Sequence, residues 1–172
     1  MALRVQSEPH IEVYEYPFFA VAGTAFFAVL VRAFLPAYFP SSALLELPLL
    51  VTLYFGLSRR NPAAGLLLGM GVGLLQDSVS RVPIGLYGIA KTLVGYAGSS
   101  IGGRFDVEHP ISRFLLTFFF CHFHQGVIVL IKRVLLAEPE TMFSARLLLA
   151  SLVNAGIAVA LFPLLDKLRK PS

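Results

Sequence analysis

GLLLGMGVGLLQDSVSRVPIGLYGIAKTLVGYAGSSIGG, residues 65–103, reads as two apolar helices studded with glycine and joined by a short polar turn. Gly65, Gly69 and Gly73 recur every four residues, which places them on one helical face. Gly88, Lys91 and Gly95 are spaced three and four apart and share a face of the second helix. Chained small residues of this kind let a neighbouring backbone approach closely, so that van der Waals packing holds helices together where lipid removes the hydrophobic drive. Asp77 ends the first helix, and Pro83 and Gly85 shape the turn. The flanking sequence is expected to pack around this hairpin.

The composition places the hairpin in a membrane. The chain has 172 residues, 56% hydrophobic and only 14% charged, and its mean hydropathy is +0.75. A soluble domain carries about 25% charged residues, so the deficit and the long apolar runs indicate an all-α, polytopic membrane protein. The single cysteine, Cys121, excludes a disulfide framework. The net charge of +4 is read as charge on cytoplasmic loops, and no nucleic-acid partner is expected.

Outward from the hairpin, six spans are expected. Residues 1–15 form a cytoplasmic polar tail, in which HIEVYEY alternates briefly as an extended strand would. Residues 16–166 form the membrane domain and 167–172 a cytoplasmic basic tail. The first span, 16–35, has no cleavage pattern after it and is expected to remain as a helix, with Arg32 snorkelling to the interface and Pro36 and Pro40 ending it. The others are 43–57, 63–76, 84–103, 111–136 and 146–166, with Ser144 as an N-cap for the last. Segments 43–57 and 63–76 are short for a full crossing. With both termini inside, the cytoplasmic face holds Arg4, Arg59, Arg60, Arg104, Arg113, Lys167, Arg169 and Lys170. The outer face holds Arg32, Arg81, Lys132, Arg133 and Arg146, so the positive-inside bias favours this orientation.

The polar residues inside the spans are the candidates for chemistry. Lys91 stands in mid-membrane at a cost of ~2.5–3.5 kcal/mol on insertion scales, so it is expected to face the bundle and find a partner, Glu46 or Asp77. Such a pair is either an ion or ligand site or a structural link between helices two, three and four. His122 and Gln125 share a face of the fifth helix and are expected to hydrogen-bond to Asn154 of the sixth, whereas His124 points the other way. Neither histidine completes a metal site, and no cofactor or metal is expected. No Walker motif, nucleophile elbow, zinc-protease motif or dinucleotide fingerprint is present, and no catalytic residue is assigned.

The hairpin resembles that of the MreD family of the bacterial rod-shape system. The matching residues are Gly65, Gly69, Gly73, Asp77, Pro83, Gly85 and Gly95: a glycine-rich helix ending in an acid, a turn with Pro-x-Gly, and a second glycine-containing helix. The resemblance implies a non-enzymatic protein of the bacterial inner membrane that supports lateral peptidoglycan synthesis. Its implied partners are a bitopic periplasmic MreC-like protein and, indirectly, an MreB-like actin filament, a RodA-like polymerase and a penicillin-binding transpeptidase. It also implies a fold like that of the substrate-binding subunits of energy-coupling-factor transporters. On this reading the faces of Gly65, Gly69 and Gly73 and of Gly88 and Gly95 dock a partner's transmembrane helix. The alternative is a vitamin-type transporter subunit, with Glu46, Lys91, His122, Gln125 and Asn154 lining a ligand cavity.

Overall fold

The structure, a computed structural model, describes residues 15–138, 141 and 144–169. The HIEVYEY alternation, apart from Glu15 and Tyr16, and the last three residues of the basic tail lie outside the described residues. The described residues form six helices and no strand: α1 (Phe18–Tyr38), α2 (Leu47–Arg59), α3 (Pro62–Val79), α4 (Leu86–Ile101), α5 (Pro110–Leu135) and α6 (Ala145–Asp166). A single 3₁₀ turn, Pro40–Leu44, leads into α2. Five helical stretches are long and apolar enough to cross a membrane, with the second counted from Pro40 to Arg59. The remaining helix, α4, has 16 residues.

Local chemistry sets the boundaries. Pro36 does not end α1, which runs on to Tyr38. A proline this near the C-terminus removes only one backbone hydrogen bond, and the helix stops at Phe39, whose extended backbone (φ −131°, ψ 90°) suits a residue before proline. Pro48 lies in the first turn of α2, where no N–H is needed. Asn61, His109 and Ser144 cap α3, α5 and α6 by accepting from the N–H groups of Ala64, Ile111 and Leu147.

The helix at the centre is α2, not the glycine hairpin. Every residue from Pro48 to Ser58 is buried, and Leu50, Leu53 and Phe55 are fully enclosed. The other five helices surround it. α4 packs against both α2 and α3, which also touch each other: a Cβ on Gly102 would strike the Leu57 carbonyl of α2, and one on Gly98 would press on Leu53 Cδ1 at 3.3 Å.

The α3–α4 pair is the most intimate in the protein. A Cβ at Gly65 would overlap the Gly95 carbonyl and Ser99 Oγ, one at Gly69 the Lys91 carbonyl, and one at Gly73 the Tyr87 carbonyl. A Cβ at Gly95 would in turn overlap the Gly65 carbonyl. Gly88 is tight but looser, with Leu74 Cδ2 at 3.0 Å and Asp77 Oδ2 at 3.3 Å. The expectation that Gly65, Gly69, Gly73, Gly88 and Gly95 receive a partner's helix is therefore corrected. The two small-residue faces are complementary and adjacent in sequence, and each is filled by the other.

Gly71 faces outward with nothing within 4 Å of its Cβ position. Gly69→Leu is expected to destabilise the protein by ~3 kcal/mol or more, at or beyond the upper end for overpacking, because backbone rather than a flexible side chain is in the way. Gly71→Leu is expected to melt at or above the parent temperature. Thermal unfolding of both variants in the same detergent tests the assignment, and equal effects would contradict it.

Candidate functional site

Asp77, Lys91, Glu46 and Asn154 each have a specific partner. Asp77 lies inside α3, is almost fully buried, and faces the start of α4. Its Oδ2 accepts from the N–H groups of Gly85 (2.8 Å) and Gly88 (3.0 Å), and its Oδ1 from that of Tyr87 (2.9 Å). Those are donors of the first turn of α4, which have no partner within that helix, and a carboxylate also complements the positive end of the helix dipole. Asp77 is thus the cap of the following helix. Gly85 serves the same turn, because its φ of 102° lies where side-chain-bearing residues are strained, while Pro83 is exposed on the outside of the turn.

Lys91 has no exposed surface. Its expected partners are both committed elsewhere: Asp77 to the α4 cap and Glu46 to Arg32. The Lys91 amino group lies instead 3.3 Å from His124 Nε2 and 4.8 Å from the centroid of the Tyr87 ring. The Tyr87 and His124 rings are nearly parallel, 7° apart, with centroids 6.2 Å apart. The amine is held by one ring nitrogen and one π face, a cation–π geometry.

Arg32 does not snorkel outward. Its Nε and Nη2 donate to Glu46 Oε1 at 3.2 and 3.1 Å, tying the end of α1 to the entry of α2. Asn154 does not reach His122 or Gln125. Its Oδ1 accepts from the Glu46 N–H at 2.9 Å, and its Nδ2 donates to the Leu44 carbonyl at 2.7 Å. The physical reason is the break between the 3₁₀ turn and α2. It leaves main-chain groups without helical partners, and within a membrane such groups must be satisfied by protein. His122 is satisfied on its own helix, with Nδ1 3.0 Å from the Phe118 carbonyl.

Glu46, Tyr87, His124 and Asn154 border a cavity of about 370 Å³. On α5 its wall is Cys121, His124, Gln125, Ile128 and Lys132, and on α6 it includes Leu147, Ser151 and Asn154. Glu46, Leu49 and Tyr87 close the remaining sides. Ser144, Arg146 and Val82 also border it, so its mouth lies at the end of the bundle where α3 meets α4 and α5 meets α6. Of the five expected lining residues, the structure brings together Glu46, Gln125 and Asn154. Lys91 stands behind His124, and His122 lies outside. Tyr87 was not singled out from sequence, and His124 and Lys132 were named there without being placed at a cavity. The signal that marks His124 and Lys132 is the i, i+3, i+7, i+11 spacing of Cys121, His124, Ile128 and Lys132 on one face of α5.

The opposite end is closed by a second polar cluster. Arg113 Nη2 donates to Asp166 Oδ2 at 2.7 Å and its Nε to the Val107 carbonyl at 2.8 Å. Tyr54 and Arg169 donate to Asp166 Oδ1 at 2.8 and 2.7 Å, and Tyr16 Oη lies 2.9 Å from Tyr54 Oη. This places the start of α1 and the end of α6 at one end of the bundle.

Two substitutions separate framework from function. Asp77→Ala leaves three main-chain donors unpaired and is expected to lose on the order of 3 kcal/mol of stability, hydrogen bonds to charged groups each contributing about 1.5–3 kcal/mol. Lys91→Met conserves volume and removes a buried amine with no carboxylate partner, so melting at or above the parent temperature is expected. A loss for Lys91→Met as large as that for Asp77→Ala would make Lys91 part of the framework.

With the geometry in place, the comparisons can be read against it. Neither a curated protein nor a solved structure matches the chain, so the expected likeness to transporter substrate-binding subunits gains no support from known structures. The family model described as rod shape-determining protein MreD matches residues 15–171. That range takes in all six helices, the Asp77 cap and both polar clusters. The chain therefore belongs to the MreD family, and its role is in the determination of rod shape.

Proposed function

We propose that this protein is a non-enzymatic inner-membrane component of the cell-elongation machinery that holds a bitopic MreC-like partner and thereby supports lateral peptidoglycan synthesis. The observation that carries the reading is the family match across residues 15–171. The MreB-like filament, the RodA-like polymerase and the penicillin-binding transpeptidase are then indirect partners.

The orientation proposed is termini-in. The end of the bundle bearing Arg59, Arg60, Arg104, Arg113 and Arg169 faces the cytoplasm, in keeping with the positive-inside rule. The cavity mouth then opens toward the periplasm. Since the glycine faces are filled within the chain, a partner's helix must dock on the outer surface of the bundle. Purification of the protein as bait in mild detergent, followed by mass spectrometry, is expected to recover a bitopic periplasmic coiled-coil protein together with a cell-wall polymerase. Recovery of paired ATPases and a coupling membrane subunit instead would overturn this reading and assign a transporter.

A further inference from the structure

Arg59, Arg60 and Arg104 stand at one corner of the bundle and take no part in the interactions described so far. The packing of α2 on α4 sets their level. The two helices run in the same direction, because Gly98 faces Leu53 and Gly102 faces Leu57. That register, continued by two or three residues, carries Arg59 and Arg60 at the end of α2 to the level of Arg104, just past the end of α4.

Three features point to what this corner holds. The first is charge. Among the described residues, none of the three arginines forms an ion pair. The nearby carboxylates are engaged: Asp166 with Arg113 and Arg169, Glu108 with Arg169, and Asp106 with the Glu108 N–H. The second is the position of Arg60. It caps α2 with a φ of 51°, in the left-handed region where glycine is the ordinary occupant. Its Nε is shielded from solvent and has no hydrogen-bond partner, and a buried donor left unmet is costly. Glycine here would remove both costs, so the arginine is retained for what its side chain does. The third is an apolar lane that ends at the corner. Ile89, Leu93 and Tyr96 are exposed along α4, and Ser100 and Arg104, also exposed, continue the same face at a spacing of four, three, four and four.

We propose that this corner binds the headgroup of an anionic phospholipid. Arg60 and Arg104 hold the phosphate oxygens, Arg59 adds its charge beside them, and an acyl chain lies along Ile89, Leu93 and Tyr96. The planar guanidinium matches phosphate with paired donors, and basic pockets between transmembrane helices suit anionic headgroups. A free phosphate ester shares the headgroup chemistry but has nothing to lay on the apolar lane, which favours the lipid. The assignment depends neither on which leaflet this end meets nor on which protein partner the bundle holds.

The test is thermal unfolding of the full-length protein in a neutral detergent, because a ligand that binds the folded state raises its melting temperature saturably. Phosphatidylglycerol is added at increasing mole fraction and compared with phosphatidylcholine of the same acyl chains and with soluble glycerol 3-phosphate. A saturable rise with phosphatidylglycerol alone is expected. Arg60→Gly, which relieves the backbone, is expected to melt at or above the parent temperature without lipid. In Arg60→Gly and in Arg104→Ala the midpoint mole fraction is expected to increase about fivefold, the contribution of one basic residue at an anionic surface. Arg81→Ala, an exposed arginine at the opposite end, is expected to leave the midpoint unchanged. No rise with phosphatidylglycerol, or an equal rise with phosphatidylcholine, would overturn the proposal. So would an unchanged midpoint in Arg60→Gly, or an Arg81→Ala effect as large as that of Arg60→Gly, which would mean diffuse attraction to net charge. An equal rise with soluble glycerol 3-phosphate would replace the lipid by a free anion and overturn it as well.

Discussion

The contact on which the rest of this structure depends is that of two main chains, α3 and α4, pressed together along their glycines. In lipid, apolar side chains gain nothing by leaving the bilayer for a protein neighbour, so association rests on close packing and polar links. Here the approach is so close that single methyl groups at Gly65, Gly69, Gly73 or Gly95 would collide with carbonyls of the facing helix. The pairing fixes the register of α4, and the register carries Lys91 into the interior. Asp77 fixes the same register a second time by closing the first turn of α4 from the preceding helix. A buried carboxylate and a run of glycines, ordinarily liabilities in a membrane helix, are thus two halves of one device.

The hairpin was legible in the sequence because its signal is local. Period-four glycines, an acid at the helix end and a Pro-x-Gly turn lie within a few turns of one another, and the six helices were legible too, with Ser144 the one cap expected. What the glycines pack against was not legible. A small-residue face says that a backbone comes close and does not say whose. The hairpin satisfies the two faces with each other, which leaves the central position to α2. Nothing in ALLELPLLVTLYFGL distinguishes a helix surrounded by five others from one facing lipid, because both environments are apolar.

The polar partners were the least legible part, and the reason is the same in each case. Sequence pairs side chain with side chain, Lys91 with an acid and Asn154 with His122 or Gln125. The structure pairs side chains with interruptions in the backbone. Asn154 answers the break before α2, and Asp77 answers the start of α4. In a membrane an unmatched main-chain N–H or C=O is a strong claim on any nearby amide or carboxylate, and that claim wins over a side-chain pair whose average contribution is only ~0.6 kcal/mol. A sequence reading that first lists helix breaks and then assigns polar residues to them would have placed Asn154 correctly.

That ordering also explains why the cavity exists. Once Asn154 is drawn to the 44–46 main chain and Glu46 to Arg32, the upper parts of α5 and α6 face each other across a space bordered by polar side chains. Gln125, Ser151, Lys132 and Arg146 are on that part of the wall, and Tyr87 and His124 floor it in front of Lys91. The framework uses its polar residues at one level, and a second level of polar side chains borders a space. The Asp166 cluster at the opposite end, where every oxygen of the carboxylate has a donor, is a clamp between the start of α5 and the end of α6.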